Sequence, residues 1–519
     1  MLEKRDREQG ELTLVGPLRS FIPDDHILVR IDGVLDLSWL RDEVEDLYCL
    51  ERGRPGIDPE SALRLMLAGL IEGIIHDRAL LRRAQTDIAI RWFAGYRLDE
   101  ELPDHSTLSR IRQRWGPEVF ERVFEQSVAQ CIEAKLVDAS AVHVDATLVR
   151  ADASPNSFVK EHVAQVLAAN EGGDSSDAPT VDEDSAKSEP GEKEPPGGDG
   201  GSSGAEGSDE AKRSLGDVEL AVDRGGGSRK SKNGPRRSLT DPDCRFARSS
   251  RRTGYAPSYK AHVVVEDSHG VVVGSALTAG NVHEGETLMG LIEAVESRTD
   301  QDVQGVAADT AYGMASNYGA LERSQREAVI PAQAPPRHRG GFPASRFSYD
   351  PVTDRVRCPR KCYLHRYRKH DRGVDYRSLR SDCQDCRHAS SCLPSSRPHR
   401  TITVPPDHAP LLRARRRQCR GEIRSHCLSR KRWGRVERLF GESKCCHGLG
   451  RAARRGLAGV WTQLQLTFAI QNLRRLVGPN PASGLGRWIS ASLRGLTRAL
   501  LRPSRGGFSA WGPGWAIAA

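Results

Sequence analysis

Three acidic residues in this 519-residue chain lie in sequence surroundings that disfavour an isolated carboxylate. Asp145 interrupts an apolar, β-branched run, and Asp309 ends a second short run of the same kind. A carboxylate within a strand is costly to bury unless it is paired or bound to a metal, so two at comparable positions indicate a shared divalent cation. The alternative for either residue alone is a strand-end Asp that accepts hydrogen bonds from backbone amides.

The third acid is Glu437, one of only three acidic residues set among 15 Lys and Arg at residues 411–455. The apolar spacing of this stretch predicts a helix, on which Lys444 follows Glu437 by about two turns on the same face. Glu442 is a rival third acid, but five residues of helix turn the two side chains in different directions. Alternatively, Glu437 is only a charge partner for the surrounding arginines.

Three carboxylates are a suitable ligand set for Mg²⁺ or Mn²⁺, which prefer oxygen ligands and retain waters and phosphate oxygens. Two such ions about 3.5 to 4 Å apart can activate a water or a 3′-hydroxyl and stabilise the leaving oxygen of a phosphodiester. This chemistry requires no side-chain nucleophile, so we assign that role to no Ser or Cys.

Five cysteines at residues 358–392 form a second candidate site. Cys383 and Cys386 have the spacing of a zinc knuckle, and a structural zinc takes four thiolate or imidazole ligands from two such corners. Cys358 and Cys362 begin the segment and Cys392 ends it, so five thiols compete for four places. The alternative is a set of unliganded thiols in a basic loop.

Composition indicates several domains joined by linkers. Hydrophobic residues are 38% of the chain, with 50 glycines and 29 prolines, whereas an average globular domain is about 45–50% apolar. No run approaches the ~18 apolar residues of a membrane span, and the first residues have no apolar signal segment. We therefore expect a cytoplasmic protein with no membrane partner and with reduced cysteines, which favours metal ligation over disulfides.

The first 135 residues predict helices separated by turns. Asp58 before Pro59 is a good helix start, and Ser106 is expected to cap a second helix. Three arginines fan around that second helix: Arg110, Arg112 and Arg114. A capped, arginine-rich helix is typical of a helix-turn-helix element, although a core helix with solvated charges has the same pattern.

The pattern then changes to strands, which predicts an α/β sheet with its helices late in the chain. The predicted strands are residues 141–149, 259–266, 271–277, 304–309 and 328–331, with a hairpin turn at 267–270 and a helix at 317–326. Residues 171–210 hold 13 acidic residues against 2 lysines and are predicted to be disordered. A basic arm with 10 Lys and Arg follows at residues 224–252.

Together, these residues resemble the DDE transposases of bacterial insertion sequences. Asp145 in HVDATLV, Asp309 in AADTAYG and Glu437 in GRVERLFGESKCCHGL are similar to the three acidic blocks of that family. The phrases IPDDHILVRI, GRPGIDP, LAGLIEGI, PDHSTLSRIRQRWG and TDPDCRFARSS resemble the group numbered eleven eighty-two. The likeness spans residues 21–476, with one departure: Trp433 stands where the group has an Arg, beside Arg432 and Arg435.

The resemblance implies an α+β or α/β chain whose RNase H-like core is interrupted. The first Asp would lie on the first strand, the second at the end of the fourth, and the Glu on a later helix. The expected parts are a helical DNA-binding domain (1–135), the first part of the core (136–160), an acidic then basic disordered insert (161–237), the second part of the core (238–335), a zinc-ribbon-like insertion (336–405), the helical part with the third acid (406–477) and a basic disordered tail (478–519).

The resemblance also implies the roles of the site residues. Asp145, Asp309 and Glu437 would be catalytic and bind Mg²⁺ or Mn²⁺, and Lys444 would touch DNA. Further DNA contacts are expected from Arg110, Arg112, Arg114, Arg432 and Arg435. A structural Zn²⁺ would be held by Cys358, Cys383, Cys386 and Cys392, with Cys362 as the substitute ligand.

The function expected from this set is metal-dependent DNA cleavage followed by strand transfer. The partners would be double-stranded DNA, both terminal inverted repeats and target, with a homodimer on DNA and a place at the bacterial nucleoid. Two alternatives stay open: a DNA-binding protein that has lost catalysis, and an RNase H-like nuclease without strand transfer.

Overall fold

The computed structural model describes residues 16–48, 56–160, 236–248, 254–334, 341–371, 373–393 and 397–478. The predicted acidic insert, the start of the basic arm and the tail beyond residue 478 lie outside these ranges. No helix within the described ranges is long and apolar enough to cross a membrane.

The N-terminal part is helical, as predicted. Its helices are α1 (Ile27–Asp32), α2 (Leu40–Val44), α3 (Pro59–Ile71), α4 (Asp77–Ala84), α5 (Ile88–Phe93) and α6 (His105–Glu133). The Asp58 carboxylate accepts a hydrogen bond from the Ser61 amide at 2.9 Å, which confirms the predicted start of α3. The predicted Ser106 cap is wrong: α6 begins at His105, two residues before the predicted start, and Asp104 caps it by accepting from the Ser106 amide at 2.8 Å.

A six-stranded mixed sheet follows. Its strands are β1 (Ala141–Arg150), β4 (Arg245–Ala247), β5 (Ala256–Glu266), β6 (Val272–Ala279), β7 (Gly305–Ala308) and β8 (Glu327–Val329), and a separate ribbon pairs β2 (Phe158–Lys160) with β3 (Arg236–Ser238). The order is β4-β5-β1-β7-β8, and β6 also pairs with β5. β1 is antiparallel to β5 and parallel to β7, so it lies inside the sheet between two strands that are distant from it in the chain.

Helices cover this sheet and connect it to the N-terminal part. They are α7 (Leu288–Thr299), α8 (Ala315–Arg323), α11 (His408–Cys419), α12 (Glu422–Ser425), α13 (Cys427–Arg432), a π-helix (Trp433–Glu437), α14 (Arg438–Cys446) and α15 (Gly456–Val477). Short 3-10 helices lie at Leu18–Phe21, Glu45–Leu47, Pro155–Ser157, Glu284–Glu286, Thr310–Tyr312 and Ala344–Arg346. Most of α15 is buried, because it packs against α6, α3 and β6.

The cysteine-rich segment forms its own antiparallel sheet. Its strands are β9 (Ser348–Asp350), β10 (Arg355–Arg357), β11 (Tyr363–His370), β12 (Gly373–Arg377) and β13 (Thr401–Val404), in the order β13-β12-β11-β10-β9, and its helices are α9 (Arg380–Gln384) and α10 (Ala389–Cys392). Val356, Leu364 and Tyr376 form a small core separate from the main one. The segment therefore has its own packing, apart from the sheet that carries Asp145.

A buried ion triad joins the helical part to the segment before α15. Asp77 accepts two hydrogen bonds from Arg112, at 2.7 and 2.8 Å, and a third from Arg454 at 3.0 Å. Burial raises the pKa of Asp77, but the hydrogen bonds and charges of the two guanidinium groups outweigh it and the net shift is downward. The Arg112 side chain is only 9% exposed, so we leave it out of the proposed DNA contacts.

We predict that Asp77→Asn lowers the free energy of unfolding by about 3 kcal/mol, because it leaves two buried guanidinium groups without their counter-charge. Urea unfolding measures the change. Asp99→Asn is the matched control, since the Arg97–Asp99 pair is more than 70% exposed on both sides and should change stability by less than about 1 kcal/mol. Equal destabilisation by both variants would contradict a structural role for the triad.

Candidate active site and cysteine cluster

Two aspartates lie at matching positions of two neighbouring parallel strands: Asp145 in the middle of β1, and Asp309 directly after the end of β7. The register of β1 and β7 pairs Val144 with Ala308, so Asp145 and Asp309 both come one residue after the last pair. Side chains at matching positions of parallel strands lie on the same face of a sheet. Asp145 accepts from the Ala146 amide, and Asp309 caps the 3-10 helix at Thr310–Tyr312 by accepting from the Ala311 amide, each at 2.8 Å.

Electrostatics place the third predicted acid near this pair. The pKa of Asp145 is raised to about 6, first by burial and then by the negative charges of Asp309 and Glu437. The Arg432 guanidinium donates to the Asp145 carboxylate and opposes that rise. Asp145 is only 8% exposed, so a neighbouring cation has a large effect on the pKa of its carboxyl group.

The π-helix explains how Arg432 reaches Asp145. In a π-helix the backbone N–H of residue i+5 donates to the carbonyl of residue i. Arg432, which directly precedes the π-helix, and Glu437, its last residue, are five positions apart and therefore lie on the same side of the helix. The π-helix packs directly against β1. From the sequence, the group's Arg was expected at position 433, which is Trp433 here, and a regular α-helix was assumed. A π turn contains one residue more than an α turn. This shift by one position fits Arg432, instead of residue 433, lying beside the Asp145 carboxylate.

Glu442, the rival third acid, faces a different environment. Its carboxylate lies 3.7 Å from His447 Nε2 and 3.8 Å from Arg474 Nη1, on the side of the helical part. The nearby His447 ring, with further help from arginine charges, lowers the pKa of Glu442 despite burial. His447 is itself buried against the Leu70 carbonyl, 2.8 Å from Nδ1. Glu442 therefore has partners of its own that do not include Asp145.

The predicted DNA-contact residues have different surroundings. Lys444 is exposed, and partial desolvation of its ammonium lowers its pKa while the Glu437 charge opposes that shift. Arg435 donates to the Ser268 carbonyl at 2.7 Å, which ties the π-helix to the β5–β6 turn. Arg110 and Arg114 are exposed on α6: Arg110 donates to Ser106 Oγ, and Arg114 lies over the Tyr48 ring.

A buried polar group beside the aspartates was not predicted from the sequence. Tyr312 is fully buried, and its hydroxyl lies 3.4 Å from Nδ1 of His262, which is also fully buried. Burial raises the pKa of Tyr312 well above its usual value, and the charges of Glu284, Asp145 and Asp309 add to the shift. A His in the otherwise apolar run of β5 was the sequence signal that could have identified this group.

The five cysteines at residues 358–392 line one cavity. Ser378, His388 and Arg400 line it as well. Burial raises the pKa of Cys392, and the Arg400 charge opposes this shift. The charges of Cys383, Cys386 and Cys358 raise the pKa further, so these thiols are close enough to affect one another. The same holds for Cys362, whose pKa is raised by burial and then by Cys358. The cavity thus collects all the candidate zinc ligands.

Neither site has the geometry of a formed metal site. Within the part of the chain that the structure describes, no three His, Cys, Asp or Glu side chains are arranged so that they could hold a metal ion. At the acidic site, Arg432 supplies the positive charge next to Asp145. The carboxylate and thiol donor sets fit divalent metal and zinc by their chemistry, and their metal binding stays a prediction.

Two segments of the chain match known protein families. Residues 17–114 match a model described as Transposase domain (DUF772), and residues 357–477 match a model described as Transposase DDE domain. The first covers α1 to α5 and the start of α6, and the second contains the cysteines and Glu437 but neither Asp145 nor Asp309. No curated protein and no solved structure matches the chain. Together, the two family matches support a DDE transposase of the insertion-sequence type.

Proposed function

We propose that this chain cuts DNA at the ends of a bacterial insertion sequence and joins the freed 3′-hydroxyl to target DNA. The observation that carries the proposal is the placement of Asp145 on β1 and of Asp309 directly after the adjacent parallel strand β7, with the Glu437 charge acting on Asp145. We further propose that the sheet is an RNase H-like core. The central position of β1 and the place of Asp309 after β7 support this assignment.

In this proposal Asp145, Asp309 and Glu437 hold Mg²⁺ or Mn²⁺. The bound ions would make the attacking oxygen more acidic and neutralise charge on the leaving oxygen. Arg432 balances the Asp145 charge in the free protein and is placed to contact a phosphate near the cut. Lys444 and Arg435, on the same helical segment, are the proposed contacts to neighbouring phosphates, and a homodimer on the two terminal repeats is the proposed assembly.

A second candidate is a DNA-binding protein that no longer cuts. The ion pair between Arg432 and Asp145 favours it, because a permanent guanidinium at that carboxylate would exclude a metal ion. A nuclease without strand transfer is a third candidate, and it differs from the first only in the joining step. Cleavage by carboxylate variants separates the first two candidates, and a strand-transfer assay separates the first and third.

We predict that Asp309→Asn, which removes a charge and a metal ligand but preserves shape, reduces strand cutting by several orders of magnitude. Binding of terminal-repeat DNA should be retained. Cleavage of labelled repeat DNA with Mg²⁺ or Mn²⁺, alongside a binding assay, measures both properties. Asp302→Asn is the matched control, since Asp302 is exposed before the other end of β7. A variant that cuts normally would exclude Asp309 from catalysis.

The third acid is tested by a pair of conservative variants. Glu437→Gln should abolish cutting, because Glu437 is the acid whose charge reaches Asp145. Glu442→Gln should leave cutting measurable in folded protein, since Glu442 pairs with His447 and Arg474. The reverse pattern in the same cleavage assay would mean that Glu442 is the third ligand.

We also propose that the cysteine cavity binds one structural Zn²⁺ through Cys358, Cys383, Cys386 and Cys392. A four-thiolate site has no open position, so this zinc would stabilise the five-stranded sheet and take no part in cleavage. Cys362 lines the same cavity and is the substitute ligand.

Metal analysis of protein purified without chelators should find about one zinc per chain. Cys386→Ser should lose the zinc and make residues 341–404 more susceptible to protease, whereas Cys419→Ser, at an exposed thiol outside the cavity, should lose neither property. Wild-type protein without zinc would remove the metal from the proposal.

A further inference from the structure

The five-stranded sheet has one face that is unlike a solvated surface. Val356, Leu364 and Tyr376 are buried on the inner face, so the residues alternating with them lie on the outer face. The outer face, which we call the aromatic-basic face, is made by Arg355, Arg357, Tyr363, His365, Tyr367 and Arg377. Tyr363 is 42% exposed and Tyr367 is 55% exposed, although large aromatic rings are usually covered.

Much of the charge of this face is unneutralised. Residues 355–370 contain seven Lys and Arg and no Asp or Glu. Arg355 and Arg357 form no ion pair among the described residues, whereas Arg366, opposite the inner-face Tyr376, lies 3.7 Å from the Asp354 carboxylate. The basic helix α11 differs, because its Arg413 and Arg417 pair with Glu322 and Glu327. Unpaired cations on one exposed face fit a polyanionic ligand.

An arginine lies over the ring of each exposed tyrosine, and at Tyr367, which is at the β11 bulge where alternation is interrupted, the Arg377 contact places the ring on the outer face. The Arg377 guanidinium carbon lies 3.2 Å from the centre of the Tyr367 ring, and that of Arg355 lies 5.8 Å from the centre of the Tyr363 ring. Arg357 is the cross-strand partner of Tyr363, and Arg377 is the partner of His365, so these side chains share the outer face. The tyrosine rings and guanidinium groups on this face offer flat surfaces on which a planar group of a ligand can stack.

We propose that the aromatic-basic face binds single-stranded DNA. Exposed aromatic rings on a sheet stack on unpaired bases, while basic side chains contact the backbone phosphates. The bases of a duplex are stacked on each other, so such rings have little access to them. The inference deepens the proposed function, since unpaired strands arise where DNA ends are cut, but binding itself requires no cutting.

The test measures binding of a fluorescent 15-nucleotide oligothymidine by the full chain without added divalent metal. Changing both tyrosines to alanine (Tyr363→Ala, Tyr367→Ala) should weaken binding about tenfold or more, and the two Tyr→Phe changes should retain it. Tyr255→Ala is the matched control: Tyr255 is 61% exposed beneath Arg248 but lies outside this sheet, so its removal should change binding less than twofold.

The charges are tested on the same oligonucleotide. Arg355→Gln with Arg357→Gln should reduce the slope of log affinity against log salt by about 0.7 for each phosphate that the variant no longer neutralises. A 15-base-pair duplex of unrelated sequence serves as the comparison, and the tyrosine variants should change its affinity less than twofold. Circular dichroism and zinc content of each variant confirm that the sheet is folded.

Three results would overturn the proposal: tyrosine variants that bind the oligothymidine like wild type, Tyr→Phe changes as harmful as Tyr→Ala, or equal reductions on single-stranded and duplex DNA. Failure of the proposed transposase function is recognised separately, since normal cutting by Asp309→Asn would contradict that function and leave this binding result unchanged.

Discussion

The parallel register between β1 and β7 is the constraint on which the candidate site depends. It places Asp145 next to Asp309 in an apolar sheet, where two negative charges repel and each loses hydration. Burial raises the pKa of Asp145, and the charge of Asp309 adds to that shift. A cation supplied from elsewhere in the fold stabilises such an arrangement. In the free protein that cation is the guanidinium of Arg432, a helical residue that lies 287 positions after Asp145 in the chain.

Contacts from α15 hold the helical segment that carries Arg432 and Glu437. Asn472 bonds the Val272 backbone in β6 and Ser127 in α6, so one amide connects the sheet to the helical part. Gln471 donates to the Leu439 carbonyl in α14, which holds the helix after the π turn. These contacts lie on a buried helix, where satisfied polar groups specify one packing arrangement and unsatisfied ones would be costly. Hydrogen bonds from α15 therefore join the N-terminal helical part to the sheet and to the helix that follows Glu437.

Local patterns predicted much of this architecture. The runs that became β1, β5, β6 and β7, and the Asp58 start of α3, follow from alternation and capping, which depend on neighbouring residues. The Asp104 cap and the π-helix could not be predicted in the same way. The first depends on a choice between two capping residues two positions apart, Asp104 and Ser106. The second takes one more residue per hydrogen-bonded turn than an α-helix, and no local sequence pattern marks it. The pairing of Arg112 with Asp77 likewise joins distant segments that no local pattern relates.

Charge along the sequence is a poor guide to charge on the surface. Residues 411–455 are the most basic helical stretch, yet the fold pairs Arg413, Arg417 and Arg454 with Glu322, Glu327 and Asp77. An arginine that is already bonded to a carboxylate must give up that partner before it contacts a phosphate, so it adds less to DNA affinity than its charge suggests. In the shorter basic run of β10 and β11, Arg366 pairs with Asp354, but Arg355 and Arg357 form no ion pair within the described residues. The internal pairing of each arginine, more than the number of arginines, therefore decides which surfaces of this chain are available to a polyanion.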